Sequence, residues 1–573
     1  MRATLHDHEL PDDAVAIPDL RPLDSPEREL GDFTATPALL RLVALAVAIG
    51  VAVAGVALVL LDLIGLIANL AYAGRWSIAL TAPDPRRLGV ASVLIPVAGG
   101  LVIGAMARFG SERIRGHGIP EAIETILLRG SRMEPRLAVL KPLSSAISIG
   151  SGGPFGAEGP IIVTGGAVGS IAGQLLHLTG AERRGLLVAG AAGGMTAVFG
   201  TPVAAVLLAV ELLLFEWRPR SLLPVAFAAA SAEAVREALA RAGLVHPAPL
   251  FPVHALAHVP PAMLPGALLI GLASGALAWA MTRCVYAAED AFARLPLHWA
   301  WWPALGGVVV GLGGLLDPRV LGAGYATIRA ELAGKLALGA LALLLVCKLA
   351  VWAIALGSNT SGGILAPLLM LGAALGGLLG AVVPGADQGT WALLGMAAAM
   401  AGVMRSPLTS IVFALELTHD VGALLPLLLA CGLAHLASVL ALRRSILTEK
   451  IARRGYHVNR EYEVDPLQAL FVRDVMRPVE DPSALRATLA AVPVVAYPDE
   501  TLRHAADRML ATGRPALPVV AREDPRRPVG EIVQLDLLAA HERVLVEERR
   551  REAPLSPRRL RAVGALLPAR GES

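Results

Sequence analysis

The chain has 573 residues, of which 55% are hydrophobic and 17% are charged. Soluble proteins carry about 25% charged residues, so the composition disfavours a soluble fold and favours packed membrane helices. The formal net charge of +3 is too small to indicate a nucleic-acid-binding surface, and we expect no nucleic-acid partner.

The first segment, residues 1–36, is polar and acidic, and we expect it to be a cytoplasmic tail. Several uncharged runs after it reach the roughly 18–20 residues that a helix needs to cross a bilayer. These runs are Leu42–Leu61, Leu88–Ala107, Gly185–Val210, Met263–Thr282, Leu349–Ala386 and Val421–Leu442. We therefore predict an all-α polytopic membrane protein over residues 37–454, integral to a bilayer such as a bacterial inner or plasma membrane.

Three stretches rich in glycine and proline interrupt this apolar sequence: Gly116–Pro120, Ser151–Pro160 and Ser361–Pro367. Each predicts a non-helical segment that ends where its proline opens a new helix. The start of a helix presents free backbone N–H groups and the positive end of the helix dipole, which attract anions. Irregular backbone at membrane depth is tolerated only inside protein or beside water. The three breaks together predict an anion pathway built largely from main chain.

Glu158 lies within the second break. It is the only Asp, Glu, Lys or Arg between Lys141 and Glu182. A carboxylate inside a membrane is costly and is by default a functional candidate. At a helix start it can occupy the place of an anion when ionised and leave when protonated, which predicts a gate and a proton carrier. The alternative is a first-turn glutamate that only stabilises the helix dipole.

An internal repeat divides the membrane region. Gly190, Met195, Pro202, Glu211 and Leu212 recur at an offset of 205 residues as Gly395, Met400, Pro407, Glu416 and Leu417. Gly156, Pro160, Gly165 and Gly169 recur at an offset of 207 as Gly363, Pro367, Gly372 and Gly376. We therefore predict two homologous halves with broken helices, residues 37–245 and 246–454, of the kind that builds transport sites at the interface of repeats.

The C-terminal part follows a basic cluster, Arg443, Arg444, Lys450, Arg453 and Arg454, which places this end in the cytoplasm by the positive-inside tendency. Within residues 471–541, Asp499-Glu500-Thr501-Leu502 predicts a helix start. Pro518–Val520 and Gly530–Val533 predict short strands, and Asp536 a further helix. We expect a small α/β domain here, and a disordered tail over residues 542–573, which is rich in Arg, Glu and Pro.

The membrane motifs resemble those of the CLC family of chloride channels and proton-coupled chloride transporters. Gly116-His117-Gly118-Ile119-Pro120-Glu121 is similar to its first anion-binding motif, Gly156-Ala157-Glu158-Gly159-Pro160 to the motif of its gating glutamate, and Gly362–Pro367 to its Gly-Gly-Ile-Phe-Ala-Pro. The resemblance implies inverted halves and a homodimer in which each subunit has its own pore. Residues 471–541 more weakly resemble a CBS domain.

The motifs and the family resemblance together predict the residues of an anion-transport site. The anion-binding positions are His117, Gly118, Gly156, Ala157, Glu158, Ile364, Leu365 and Leu447. The gate and proton positions are Glu158 and Glu211.

Four positions depart from the family pattern. His117 replaces the usual Ser or Pro, and Ala157 removes the basic residue before the gate. Leu447 stands where the pore tyrosine is usual, and Leu212 where exchangers carry an internal proton-transferring glutamate. Selectivity and tight proton coupling are therefore open, although Glu211, one residue away, could substitute through water. In the C-terminal part, Val533 stands where CBS domains carry a nucleotide-contacting Ser or Thr.

Competing functions remain at this stage. A proton-coupled anion transporter and a passive anion channel fit equally well, with chloride or a similar small anion, and possibly protons, as the transported species. The alternative from another class is a CBS-bearing divalent metal ion transporter, which would need intramembrane carboxylates for a hard cation. The sequence shows no nucleophile–base constellation, so we expect no enzyme. The cysteines Cys284, Cys347 and Cys431 lack neighbours at metal-ligand spacing, and we expect no cofactor or metal site.

Overall fold

The structure is a computed structural model. It describes residues 37–214, 216–254, 256–456, 467, 470–478, 494–522, 524–540 and 542, with the backbone alone for 524–526. The described residues fall in two compact units, one before and one after residue 460. The predicted tails, residues 1–36 and 542–573, lie outside the described residues apart from residue 542.

The first half of the membrane unit is helical. Its helices are α1 (Ala38–Ala68), α2 (Leu94–Phe109), α3 (Ile119–Leu128), α4 (Leu137–Gly150), α5 (Glu158–Leu175), α6 (Gly180–Phe199), α7 (Pro202–Leu208) and α8 (Pro219–Arg241). Two π-helical segments, Asn69–Ala73 and Ala209–Leu214, extend α1 and α7.

The second half repeats this pattern. Its helices are α9 (Met263–Ala293), α10 (Trp302–Leu316), α11 (Tyr325–Leu332), α12 (Leu338–Gly357), α13 (Leu365–Leu379), α14 (Gln388–Met404), α15 (Pro407–Thr418), α16 (Leu424–Ala441) and α17 (Ile446–Arg453).

Six helical stretches in the described residues are long and apolar enough to cross a membrane. They are Ala38–Ala73, Gly89–Phe109, Met263–Ala293, Trp299–Leu316, Leu338–Gly357 and Val421–Arg453. Four shorter apolar helices accompany them: Leu137–Gly150, Pro202–Leu214, Leu365–Leu379 and Pro407–Thr418. The protein is therefore an integral multi-pass membrane protein, as the sequence predicted.

Two of the predicted apolar runs are not single helices. Gly185–Val210 is divided between α6 and α7, because Gly200 caps α6 with a φ of 69° and Pro202 opens the next helix. Leu349–Ala386 is divided between α12 and α13 by the third glycine-rich break. The glycine-rich motif Ser361–Pro367 predicted the second interruption, whereas the first, at Gly200, was not predicted.

Helix pairs at equivalent places in the two halves pack through glycine. A Cβ on Gly165 of α5 would collide with the carbonyl of Gly190 in α6, and one on Gly372 of α13 with that of Gly395 in α14. Without these side chains the backbones approach closely, which is how membrane helices gain packing energy. The two halves therefore share the same helix packing at these positions, as the sequence repeat predicted.

The second unit is a small α/β domain. It contains β1 (Arg477–Pro478), α18 (Leu502–Thr512), β2 (Ala516–Ala521), β3 (Asp524–Val533) and a helix over residues 534–540. The strands form an antiparallel sheet in the order β1-β3-β2. Leu502, Leu517 and Ile532 lie in its apolar core. Arg522 hydrogen-bonds to Asp499 at 2.8 Å and holds the pKa of that carboxyl below its usual range.

Candidate functional site

The three glycine-rich breaks converge inside the membrane unit. Gly156 N–H donates to Gly363 O at 3.1 Å, and Gly363 N–H donates to Gly156 O at 2.9 Å. Gly362 N–H lies 3.5 Å from Gly116 O, which joins the first break to the third. Segments far apart in sequence thus form one piece of irregular backbone at the meeting point of the halves.

Glu158 lies at the centre of this junction. It is the first residue of α5, and its side chain is fully buried. Its Oε1 accepts a hydrogen bond from the backbone N–H of Ala366, in the first turn of α13. Its Oε2 has no hydrogen-bond partner in the described part of the chain. A carboxylate from the first half therefore accepts a hydrogen bond from a main-chain N–H of the second half.

The helices begin slightly earlier than predicted. Ala157 is the N-cap of α5 and Ile364 that of α13, and the first helical residues are Glu158 and Leu365 rather than the prolines. Each proline lies within the first turn, where its missing N–H would have no intrahelical acceptor. The first backbone N–H groups of α5 and α13, which have no acceptor within their own helix, therefore lie in the junction. The predicted donors Ile364 and Leu365 therefore lie there, but the N–H that contacts Glu158 belongs to Ala366, which the sequence interpretation missed.

His117 and Gly118 lie against the same junction. Gly118 is the N-cap of α3 with a φ of 92°, a conformation that favours glycine. A Cβ on Gly118 would approach Gly159 O to 3.1 Å. The His117 side chain is 3% exposed, and its Nδ1 has no hydrogen-bond partner among the described residues. The first break thus adds one buried, polar ring atom to a site made mainly of backbone.

Leu447 is buried at the start of α17. The hydroxyl of Tyr286 donates to the carbonyl of the preceding residue, Ile446, at 2.6 Å. α17 packs against α3, which follows the His117 break. Leu447 itself contributes no polar atom from its side chain.

Glu211 occupies a different place. Its carboxylate accepts hydrogen bonds from Leu408 N–H at 3.2 Å, Thr409 N–H at 2.9 Å and the Thr409 hydroxyl at 2.6 Å. Its repeat mate, Glu416, accepts hydrogen bonds from Val203 N–H at 2.9 Å and Ala204 N–H at 2.8 Å. Each half therefore caps the helix start of the other. The proton role of Glu211 stays a prediction, whereas these bonds give it a structural role.

Two buried lysines were missed by the sequence interpretation. Lys141 Nζ donates to Ile114 O at 2.8 Å and Gly116 O at 2.7 Å. Lys348 Nζ donates to Val320 O at 2.8 Å and contacts Gly322 O at 3.3 Å. The lysines are separated by the same 207 residues as the repeated glycine motifs, so extending the repeat could have found them. Both are fully buried, and each holds the loop before a short helix.

Three serine hydroxyls also meet beside the third break. Ser144 Oγ donates to Ser361 Oγ at 3.0 Å, and Ser145 Oγ lies 2.9 Å from the same atom. Ser361 opens the Gly362-Gly363 motif, so this cluster ties α4 to the junction. All three residues are fully buried.

The fold and the site define a class of protein. Inverted repeats that meet at broken helices around a buried carboxylate are the architecture of membrane transport proteins. Residues 99–439 match the family described as voltage gated chloride channel. This match covers more than half of the chain, and the chain belongs to that family, the CLC family. Residues 472–543 match the CBS domain, which agrees with the α/β unit.

Individual relatives support this assignment. A ClcB-like chloride channel protein of Ralstonia nicotianae is 31% identical over 377 residues, which cover 63% of this chain and 86% of that protein. The H(+)/Cl(-) exchange transporter ClcA of Klebsiella pneumoniae is 31% identical over 389 residues, which cover 64% of this chain and 79% of the transporter.

Solved structures share the fold. A slow cyanobacterial Cl-/H+ antiporter superposes with a TM-score of 0.64 at 22% identity, covering 74% of this chain and 99% of the antiporter. A CLC-type fluoride/proton antiporter superposes with a TM-score of 0.60 at 21% identity, covering 70% of this chain and 97% of the antiporter.

Proposed function

We propose that this protein moves chloride or a similar small anion across a membrane, through a pathway that Glu158 closes. The observation that carries the proposal is the hydrogen bond from Ala366 N–H to the buried Glu158 carboxylate. A carboxylate held by a main-chain N–H at a helix start occupies a place in which an anion could be held by the same group.

Protonation supplies the switch. An ionised Glu158 competes with the anion for the helix starts, because both carry one negative charge. A protonated side chain has lost this charge and binds the N–H donors less strongly. We therefore infer that low pH opens the pathway, and that a proton taken up by Glu158 can travel as the side chain moves.

The same site supports two modes of transport. In an antiporter the movement of Glu158 is coupled to anion movement, whereas in a channel it only opens and closes a passive path. The relatives named above include a protein described as a channel and one described as an exchanger. Leu212 and Leu447, the departures from the family pattern, favour the passive mode, and Glu158 allows either.

A divalent metal ion transporter is not favoured. A hard cation needs several oxygen ligands. In the described residues, no group of three or more His, Cys, Asp or Glu side chains is placed to hold a metal ion. The junction instead offers backbone N–H donors and one carboxylate. We propose transport rather than an enzymatic reaction.

We propose a homodimer in a membrane of the bacterial inner or plasma type, with a pathway in each subunit and both termini in the cytoplasm. The basic residues after the last apolar helix support this orientation.

For the CBS domain we propose a structural or regulatory role rather than nucleotide binding. Val533, where a hydroxyl side chain would be usual, donates its backbone N–H to Asp536 at 3.0 Å. Arg477 pairs with the same carboxylate at 2.9 Å. Asp536 is therefore already engaged by two groups of its own domain.

The direct test is chloride efflux from liposomes that contain the purified protein and are loaded with potassium chloride. Adding valinomycin lets potassium leave, so that chloride can follow through the protein. We expect efflux well above that of protein-free liposomes. Efflux equal to theirs, from a folded protein at both acidic and neutral pH, would contradict the proposal.

A further inference from the structure

A partly buried ion pair lies between the first break and a cavity at one end of the candidate pathway. Lys450 of α17 places its Nζ 2.9 Å from Glu121 Oε1 of α3. The two side chains are 12% and 11% exposed. Lys450 is one helical turn after Leu447, so both side chains lie on the same face of α17.

The ion pair touches the pathway on one side. Lys450 Nζ lies against Gly116, at the place that a Cβ would occupy. Gly116 O in turn accepts a hydrogen bond from Lys141 at 2.7 Å and lies 3.5 Å from Gly362 N–H. The ammonium of Lys450 therefore adjoins the main chain that leads to His117.

On its other side the ion pair faces a cavity of about 500 Å³. Glu121 and Lys450 both line this cavity, together with Asn359 and Arg454. Arg454 approaches Glu121 to 3.7 Å. An anion that comes through the cavity thus meets Lys450, whose partner is Glu121, and Arg454, whose nearer partner is Glu124.

We propose that Lys450 is an anion ligand at this end of the pathway and that Glu121 holds its place when no anion is bound. An entering monovalent anion replaces the Glu121 carboxylate on the Lys450 ammonium, as we propose for Glu158 and the helix start of α13. The two glutamates would then close the pathway at different points. This inference rests on the proposed function.

The two partners have opposite predicted effects. Removing the charge of Glu121 leaves Lys450 without its internal competitor, so anion binding tightens. Removing the charge of Lys450 takes away the ligand, so anion binding weakens. An ion pair that only fastens α17 to α3 would give the same loss in both variants, because either change breaks it.

The test is chloride binding to the full-length protein in detergent by isothermal titration calorimetry. We expect Glu121→Gln to bind chloride about tenfold more tightly and Lys450→Met about tenfold more weakly. Lys450→Arg, which keeps the charge, should stay within a few-fold of wild type. Thermal melting of each variant separates loss of folding from loss of binding.

The matched control is the pair Arg444–Glu449, which lies 3.6 Å apart with side chains that are 48% and 27% exposed; Glu449 belongs to α17, and neither residue lines the cavity. Glu449→Gln and Arg444→Met should leave affinity unchanged. Equal weakening in Glu121→Gln and Lys450→Met, or no change in either, would overturn the inference. A wild-type protein that neither binds nor releases chloride would instead contradict the proposed function itself.

Discussion

Gly156 and Gly363, which occupy equivalent positions in the two halves, exchange a pair of backbone hydrogen bonds of 3.1 and 2.9 Å. The carboxylate of Glu158, which we propose as the gate, lies beside this bridge between the two halves. The close approach leaves no room for a side chain. A Cβ on Gly363 would lie 2.7 Å from Gly156 O and 2.8 Å from Glu158 Oε2.

The first prediction therefore concerns Gly363→Ala. The added methyl group must displace either the bridge or the carboxylate, so we expect a lower melting temperature and a weaker dependence of anion flux on pH. Gly432→Ala in α16 is the control, since a Cβ there meets no atom within 4 Å. It should stabilise the helix by about 0.5–1 kcal/mol. Matching melting and pH profiles for the two variants would refute the tight packing at Gly363.

A second prediction separates main chain from side chain at the start of α13. Ala366→Pro removes the N–H that Glu158 accepts from, and proline is tolerated in a first helical turn. In a Glu158→Gln background we expect chloride to bind several-fold more weakly by calorimetry. Leu365→Met, which keeps volume and backbone, should change affinity by less than about twofold. Equal affinities for the two variants would place the anion elsewhere.

The third prediction concerns Glu211, for which the sequence suggested a proton role. Because its carboxylate caps α15, Glu211→Ala should cost about 1 kcal/mol of stability, in the range of other lost caps. Glu416→Ala should give a similar loss, since it breaks the equivalent cap on α7. If Glu211 is only a cap, proton movement should not change in Glu211→Gln. If that variant melts like wild type but no longer moves protons, the carboxylate is a relay and not a cap.

Much of this architecture could be predicted from local sequence. The glycine and proline positions specify broken helices whatever surrounds them, and the repeat offsets identify Gly156 with Gly363. Glu158 stands out because its neighbours in sequence carry no charge. These features can be predicted without knowing how the helices pack against one another.

The contacts across the halves could not be predicted in the same way. That Glu158 meets the N–H of Ala366, and not of Ile364 or Leu365, depends on the relative placement of α5 and α13. The cap made by Glu211 likewise depends on α15 arriving from another part of the chain. Lys141 is a different case. It is separated from Lys348 by the offset of the glycine repeat, so the sequence alone contains the information that pairs the two lysines.

The fourth prediction concerns His117, whose Nδ1 is buried without a hydrogen-bond partner in the described residues. An imidazole N–H can donate to an anion, and a protonated ring would hold it more tightly. Burial disfavours a charged ring but a bound anion favours it, so in a Glu158→Gln background chloride affinity should rise as the pH falls from about 8 to about 5.5. Glu121, Lys141 and Lys450 are the charged groups that act on the ring.

His117→Ser in the same background is the comparison, since it retains those neighbours and removes only the ring. We expect it to flatten the pH profile. Calorimetry that gives both proteins one affinity and one flat profile would assign His117 to packing alone.

The most direct test of the account is the reversal potential of lipid bilayers containing the wild-type protein or Glu158→Gln, measured under separate chloride and proton gradients. The glutamine mimics the protonated gate. Glu158→Gln should carry chloride and reverse at the equilibrium potential of chloride whatever the proton gradient, whereas the reversal potential or chloride transport of wild type should respond to the proton gradient. A Glu158→Gln protein that folds and keeps the wild-type pH dependence would show that Glu158 is not the gate.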